Sequence, residues 1–268
     1  MIDLGKKNIL GVYVNAIDYQ AAITNIVEAA HSGQPYSVSA LAVHGVMTGV
    51  HDPSHRYRLN HLNMVLPDGQ PVRWALNCLH RAGLPDRVYG PTLMWQLCER
   101  AAQERLSVFL YGSSPLVMQD LSTNLLVDFP NLRIAGTQPS LFRKTTIQEK
   151  QEIVSGIQQS GASLVFVGLG CPRQEVWIYE YQDHLSMPLI AVGAAFDFHA
   201  GHLPQAPQSL QKIGFEWLFR LLQEPKRLWR RYLFYNPEYL FLLILQWTGF
   251  KKFDACSAIP PREELRYG

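Results

Sequence analysis

The stretch LVFVGLGCPRQEVW, residues 164–177, constrains this chain more than any other. Residues 164–167 are apolar without a break, the pattern of a strand buried on both faces. Gly168 and Gly170 then permit a tight turn with close backbone approach. Pro172 suits the first position of a helix, where its missing N–H is not needed. A strand, a glycine turn and a helix start form the usual cradle for a phosphate. Unpaired N–H groups and the positive end of the helix dipole face the anion there. Arg173, Gln174 and Glu175 fall in the first helical turn beside it. Many α/β proteins carry such a turn empty, and GLGCPR has Arg173 where a dinucleotide fingerprint needs its third glycine. The stretch speaks for a fold class before it speaks for a ligand.

The rest of the chain repeats the design. Residues 11–14, 36–43 and 64–66 read as strands, and residues 19–31 as an amphipathic helix with Asp18 as N-cap. Residues 44–59 read as helix interrupted at Asp52-Pro53, and residues 71–79 as the next helix. Residues 92–104 are helical and lead into a strand at 107–111, then a Gly112-Ser113-Ser114-Pro115 turn. A helix to about 127, a strand at 132–135, a helix at 146–159 and a strand at 189–193 follow. Strands and helices alternate at short spacing from 107 to 193, which predicts a mainly parallel, Rossmann-like sheet flanked by helices.

Beyond Pro207 the character changes. Residues 209–223, 226–235 and 237–248 read as helices rich in Arg and aromatics, so a boundary is expected near 205. That divides the chain into an α/β core, 1–205, and a helical C-terminal appendage, 206–268. The last dozen residues carry the only sign of disorder. The formal charge of +2 is local in origin: residues 212–232 hold six basic residues against two acidic ones. Such a patch marks a site or a membrane-facing surface rather than general nucleic-acid affinity. The longest apolar run, 239–245, is far short of the ~20 residues a spanning helix needs. Cys78, Cys98, Cys171 and Cys256 have no paired spacing, and the N-terminus has no signal-peptide pattern, so a reduced, cytoplasmic protein is expected.

Asp68 follows a strand directly, where open α/β sheets hold their ligands. An Asp between Pro and Gly is either a turn residue bonding its own backbone or a general base at the sheet mouth. Arg220, Arg227 and Arg230 are either a solvated helix face or, with Trp217, Phe219, Leu228, Trp229, Tyr232 and Phe234, an element for an anionic membrane or a diphosphate. Asp197 and His199 lie just past a strand, where a structural role is expected. His51 and His55 flank Pro53 with no third ligand near, so no metal site is expected. The chain has no D-x-D, no G-x-S-x-G and no P-loop, which weakens metal-dependent sugar transfer, hydrolase and NTPase readings.

These segments resemble the WecG/TagA/CpsF family of bacterial glycosyltransferases over nearly the whole chain. Leu66-Pro67-Asp68-Gly69, Tyr89-Gly90-Pro91 and Tyr111-Gly112-Ser113 match, as does Gly168-Leu169-Gly170-Cys171-Pro172-Arg173-Gln174-Glu175. The match continues through Val192-Gly193-Ala194-Ala195-Phe196-Asp197-Phe198, Ala206-Pro207 and residues 216–227. The resemblance implies a GT-E-like fold and an inverting, metal-independent enzyme without a cofactor. It would move a sugar from a UDP donor to a polyprenyl-diphosphate-linked sugar in cell-surface polysaccharide or exopolysaccharide assembly. It would act peripherally on the cytoplasmic membrane face, through the appendage, with homo-oligomers open. It gives Asp68 the base role and Gln174 a nucleotide contact, and it closes Arg220, Arg227 and Arg230 over the diphosphate. Gly112, Ser113, Gly168, Gly170 and Arg173 are implied binding residues of the same cleft.

One departure stands out. The family often ends its second strand in Thr-x-Asn, and those positions here are Ala40 and Ala42. Hydrogen bonds to the donor sugar must come from elsewhere, and His44 is the candidate. Glucose, N-acetylmannosamine and its uronic acid remain open as donor sugars, a glucosyltransferase of the GumM type among them. The alternative is a catalytically idle, membrane-associated assembly factor. A nucleotide-dependent oxidoreductase is disfavoured by the incomplete glycine fingerprint.

Overall fold

A computed structural model describes residues 1–212 and 214–268. The chain opens with a hairpin, β1 (Asp3–Ile9) antiparallel to β2 (Val12–Ile17), turned by Leu10 and Gly11 at positive φ. Only β2 was legible, because β1 is polar and largely exposed and carries no apolar alternation. Helix α1 (Tyr19–Ser32) starts at Asp18, whose side chain accepts from the Ala21 N–H, as its sequence predicts. Then come β3 (Tyr36–Leu41), α2 (Val43–His51), α3 (Pro53–His61), β4 (Met64–Pro67), α4 (Gln70–His80) and α5 (Gly90–Glu104). The chain continues through β5 (Ser107–Gly112), α6 (Pro115–Asp128), β6 (Arg133–Gln138), α7 (Ile147–Ser160) and β7 (Leu164–Gly168). Next are α8 (Arg173–Tyr181), β8 (Pro188–Ala191) and the short α9 (Ala195–His199).

Six strands form one parallel sheet in the order β4-β3-β8-β7-β5-β6. Leu164 and Phe166 pack into the core on one face, Val165 and Val167 into the core on the other. With helices on both faces, an unbroken apolar strand has no solvent side to offer polar residues. The strand order reverses beside β8, and the carboxyl ends of β3, β4, β5, β7 and β8 meet at one edge. Open α/β sheets bind ligands in such a crevice.

Two local readings need correction. Pro172 is not inside the helix: α8 begins at Arg173, and Pro172 follows a cis peptide bond at the N-cap position. The expected helix 209–223 is two, α10 (Gln208–Lys212) and α11 (Glu216–Gln223), and residue 213 between them lies outside the described residues. Gly214, at φ +80, sits against the Trp74 ring and lets the chain turn there. Then come α12 (Pro225–Arg230), a π-helical turn (Arg231–Tyr235), α13 (Asn236–Trp247) and a 3₁₀ turn (Ala255–Ser257).

The C-terminal segment does not hang free. Tyr239 is completely buried within the core, and Leu228, expected on an exposed face, is buried as well. The Leu10 N–H donates to Gln246 Oε1 at 2.9 Å, and Gln246 Nε2 donates to the Asn8 carbonyl at 3.1 Å. The expected disorder of the last dozen residues is overturned too. Lys150 and Glu264 pair at 2.6 Å, and the Glu180 carboxylate accepts the Leu265 and Arg266 N–H groups at 2.7 and 2.9 Å. Among the described residues, no helix is long and apolar enough to cross a membrane.

Candidate active site

The carboxyl edge of the sheet opens into a cleft of about 740 Å³, with a side lobe of about 110 Å³ reaching under α11 and the π-helical turn. Asp68 faces both spaces. It ends β4 in Pro67-Asp68-Gly69, and its Oδ1 accepts the Gly90 N–H at 2.7 Å. Gly90 is the first residue of α5, so the carboxylate sits at a helix N-terminus. No hydrogen bond holds its other oxygen among the described residues. Burial pushes the carboxyl up to about 6, helped by Glu216 and opposed by Arg87, the Gly90 N–H and Arg220. A carboxylate tuned there can accept a proton near neutral pH.

Arg87 stands beside it, 7 % exposed, in an ion pair with the equally buried Glu216. Its guanidinium also lies 4.1 Å from the Tyr89 ring centroid and donates to Gln211 Oε1 at 3.2 Å. This pair joins the α4–α5 connection to α11 across the side lobe. Nothing in the sequence next to either residue marks it for the site, although Glu216 falls in the 216–227 segment. Their signal is spatial, since they are far apart in the chain.

Opposite Asp68 runs the glycine turn. Gly168 ends β7 against the Phe196 ring, where a Cβ would stand 2.5 Å from a ring carbon. Gly170, at φ +74, turns the chain, and Cys171, Arg173 and Gln174 line the cleft behind it. Ser113 lines the facing wall. Gly112 does not: it lies beneath, where a Cβ would meet the Gly168 carbonyl oxygen at 2.7 Å. Its place in the motif is a matter of backbone packing. Ala40 and Ala42 line the cleft as bare methyl groups, and His44 stands next to them.

Burial and the charge of Arg231 drive the His44 imidazole down to about 3, so it is neutral at working pH. Its Nδ1 lies 3.2 Å from Thr48 Oγ1, whose own proton goes to the His44 carbonyl at 2.8 Å. Nδ1 is therefore the donor to Thr48, which leaves Nε2 with a lone pair for a ligand hydroxyl.

Arg220 and Arg227 reach the cleft from the C-terminal helices, and Glu224 holds Arg227 at 2.5 Å. Arg230 does not reach it. It is exposed, over the Trp229 ring at 5.3 Å, and the third guanidinium belongs to Arg231. Arg227 and Arg231 are four apart on one helical face, the signal that spacing carried. Asp197 also lines the cleft, with its carboxyl raised by burial against the pull of Arg227. His199 turns away to the Pro91 carbonyl at 2.9 Å, a structural contact.

A carboxylate at a sheet edge, facing a glycine turn and three guanidinium groups, is the frame of an α/β enzyme for an anionic ligand. Residues 7–253 match the family model described as "Glycosyl transferase WecG/TagA/CpsF family". The chain belongs to that family and is a glycosyltransferase. It is 31% identical over 211 residues to the N-acetylglucosaminyldiphosphoundecaprenol N-acetyl-beta-D-mannosaminyltransferase of Bacillus spizizenii, covering 78% of this chain and 76% of that relative.

Proposed function

We propose that the protein transfers a hexose, N-acetylhexosamine or its uronate from a UDP-sugar to polyprenyl-diphosphate-linked N-acetylglucosamine, with inversion and without a metal. One observation carries this reading: Asp68 shares a cleft with the Gly168–Gly170 turn and with Arg220, Arg227 and Arg231. Asp68 takes the proton of the acceptor hydroxyl as that oxygen attacks the anomeric carbon. The bond from that carbon to the diphosphate breaks, and UDP leaves with the electron pair. Charge then grows on the β-phosphate, and guanidinium groups in a low-dielectric cleft stabilise it. A UDP-release screen across a panel of UDP-sugars, with short-chain polyprenyl-diphosphate N-acetylglucosamine as acceptor, tests the reading. No release with any donor sinks it.

The arginines give a sharper test. Arg231→Ala is expected to slow transfer about 100-fold, the scale of a lost transition-state donor. Arg230→Ala is expected to stay within about fivefold of the parent, as for an exposed charge. The reverse order in steady-state rates would show the cation assignment to be wrong.

The acceptor is lipid-linked, and the C-terminal helices carry the surface to meet it. Leu240, Phe241, Ile244 and Trp247 recur at helical spacing on α13, all at least half exposed, with Phe250 beyond them. Exposed apolar side chains beside a basic patch suit a helix lying on an anionic membrane. Phe241→Ser with Trp247→Ser is expected to weaken binding to anionic vesicles at least about 10-fold in co-sedimentation. Unchanged binding would leave this surface without that role.

A further inference from the structure

Resting on the nucleotide reading above, we propose that Glu175 is a positioning residue. It locks the Gln174 amide with its carbonyl oxygen free for the ligand, so that the cleft selects the N3–H of a uracil.

The argument starts from burial. Glu175 is 0 % exposed and Gln174 3 %, adjacent residues in the first turn of α8. Glu175 Oε1 accepts two hydrogen bonds, from Ser39 Oγ on β3 at 3.0 Å and from Gln174 Nε2 at 2.9 Å. An oxygen that already serves as acceptor dictates which end of the amide it meets. Turned over, the Gln174 amide would set oxygen against oxygen at that distance, with no proton between them. This holds for the carboxylate, and for the acid with its proton on Oε2, because Oε1 then still accepts from both donors.

Gln174 Oε1 therefore points away from Glu175. It is buried there and has no hydrogen-bond partner in the protein. The wall beside it is bare backbone: Gly193, at φ +56, would bring a Cβ within 3.3 Å of that oxygen. Both residues line the large cleft. A buried acceptor without a donor is costly, and a bound ligand recovers that cost only by offering N–H or O–H. Phosphate oxygens offer neither. The part of the sugar-nucleotide over Gln174 is thus the base or a hydroxyl, while the guanidinium groups take the diphosphate. Uracil presents an N–H at N3. Cytosine presents a lone pair at the same atom, which would face the Gln174 oxygen without a proton.

Calorimetric titration of the full chain with UDP, N3-methyl-UDP, CDP and 2′-deoxy-UDP tests this. UDP is expected to bind at least about 10-fold more tightly than N3-methyl-UDP and CDP, and about as well as 2′-deoxy-UDP. In Glu175→Gln the new amide can present either end, so Gln174 is free to turn. The preference for UDP over CDP is then expected to shrink at least about fivefold, with the thermal melt close to the parent's. A merely structural role would move the melt and leave the ratio alone. Glu175→Leu, which also releases the amide, replaces that variant if it does not fold. An unchanged ratio in a folded variant, or equal wild-type affinity for UDP and N3-methyl-UDP, overturns the proposal and leaves the nucleotide reading standing. A loss confined to 2′-deoxy-UDP overturns the base assignment in favour of a ribose hydroxyl. No binding of any nucleoside diphosphate overturns both readings.

Discussion

Asp68→Asn is expected to fold as the parent does and to transfer sugar at least about 100-fold more slowly, the scale of a lost general base. The amide keeps the shape of the side chain, and its oxygen can still accept the Gly90 N–H that now holds Oδ1 at 2.7 Å. What disappears is the second lone-pair oxygen with an affinity for protons. The folded carboxyl titrates near 6, above its ordinary value, because burial disfavours the charge. Ionisation therefore costs stability as pH rises through about 6, and Asn removes that cost, so the variant should be no less stable at pH 8. The same shift sets the activity profile. Asp68 works ionised, so kcat/KM should be flat above about pH 6 and fall about tenfold per unit below it. A folded Asp68→Asn protein with full activity, or a profile without that acid limb, removes Asp68 from the base role.

Arg87→Ala is expected to destabilise the folded chain by about 3–5 kcal/mol, the usual consequence of breaking a buried ion pair. Glu216 would be left buried and unpaired beside Asp68, two carboxylates without the guanidinium between them. Arg87 pulls the Asp68 carboxyl down and Glu216 pushes it up, so the acid limb of any remaining activity should move to higher pH. Adding Glu216→Leu removes the stranded charge and should restore part of the lost stability, which urea denaturation of both variants would measure. A single variant as stable as the parent would mean that the pair does not tie α11 to the core. A double variant no better than the single would mean that the stranded charge is not the cause.

Much of this site could be read before any fold was known. Asp68 and the Gly168–Gly170 turn sit at strand ends, with Gln174 in the helical turn that follows, and strand ends announce themselves: a short apolar run stops at Gly, Pro or Asp. The parallel sheet followed from the same alternation. The misreadings share a cause. Hairpin strand β1 has no apolar face, Leu228 looked like one more exposed apolar residue among arginines, and Gly112 looked like a ligand contact. In each case what matters is the neighbour across space: the buried strand β2 that β1 pairs with, the packing that buries Leu228, and the Gly168 carbonyl.

The sequence by itself determined the sheet, its carboxyl edge and the chemical groups placed along that edge, because period, turn residues and strand length are local properties of the chain. Only the tertiary structure decided which arginine enters the cleft, that Arg87 and Glu216 meet next to Asp68, and which way the Gln174 amide must face. Those depend on helix phase and on burial. A charge or an amide acquires its partner, its proton affinity and its orientation only when distant segments close over it and exclude water.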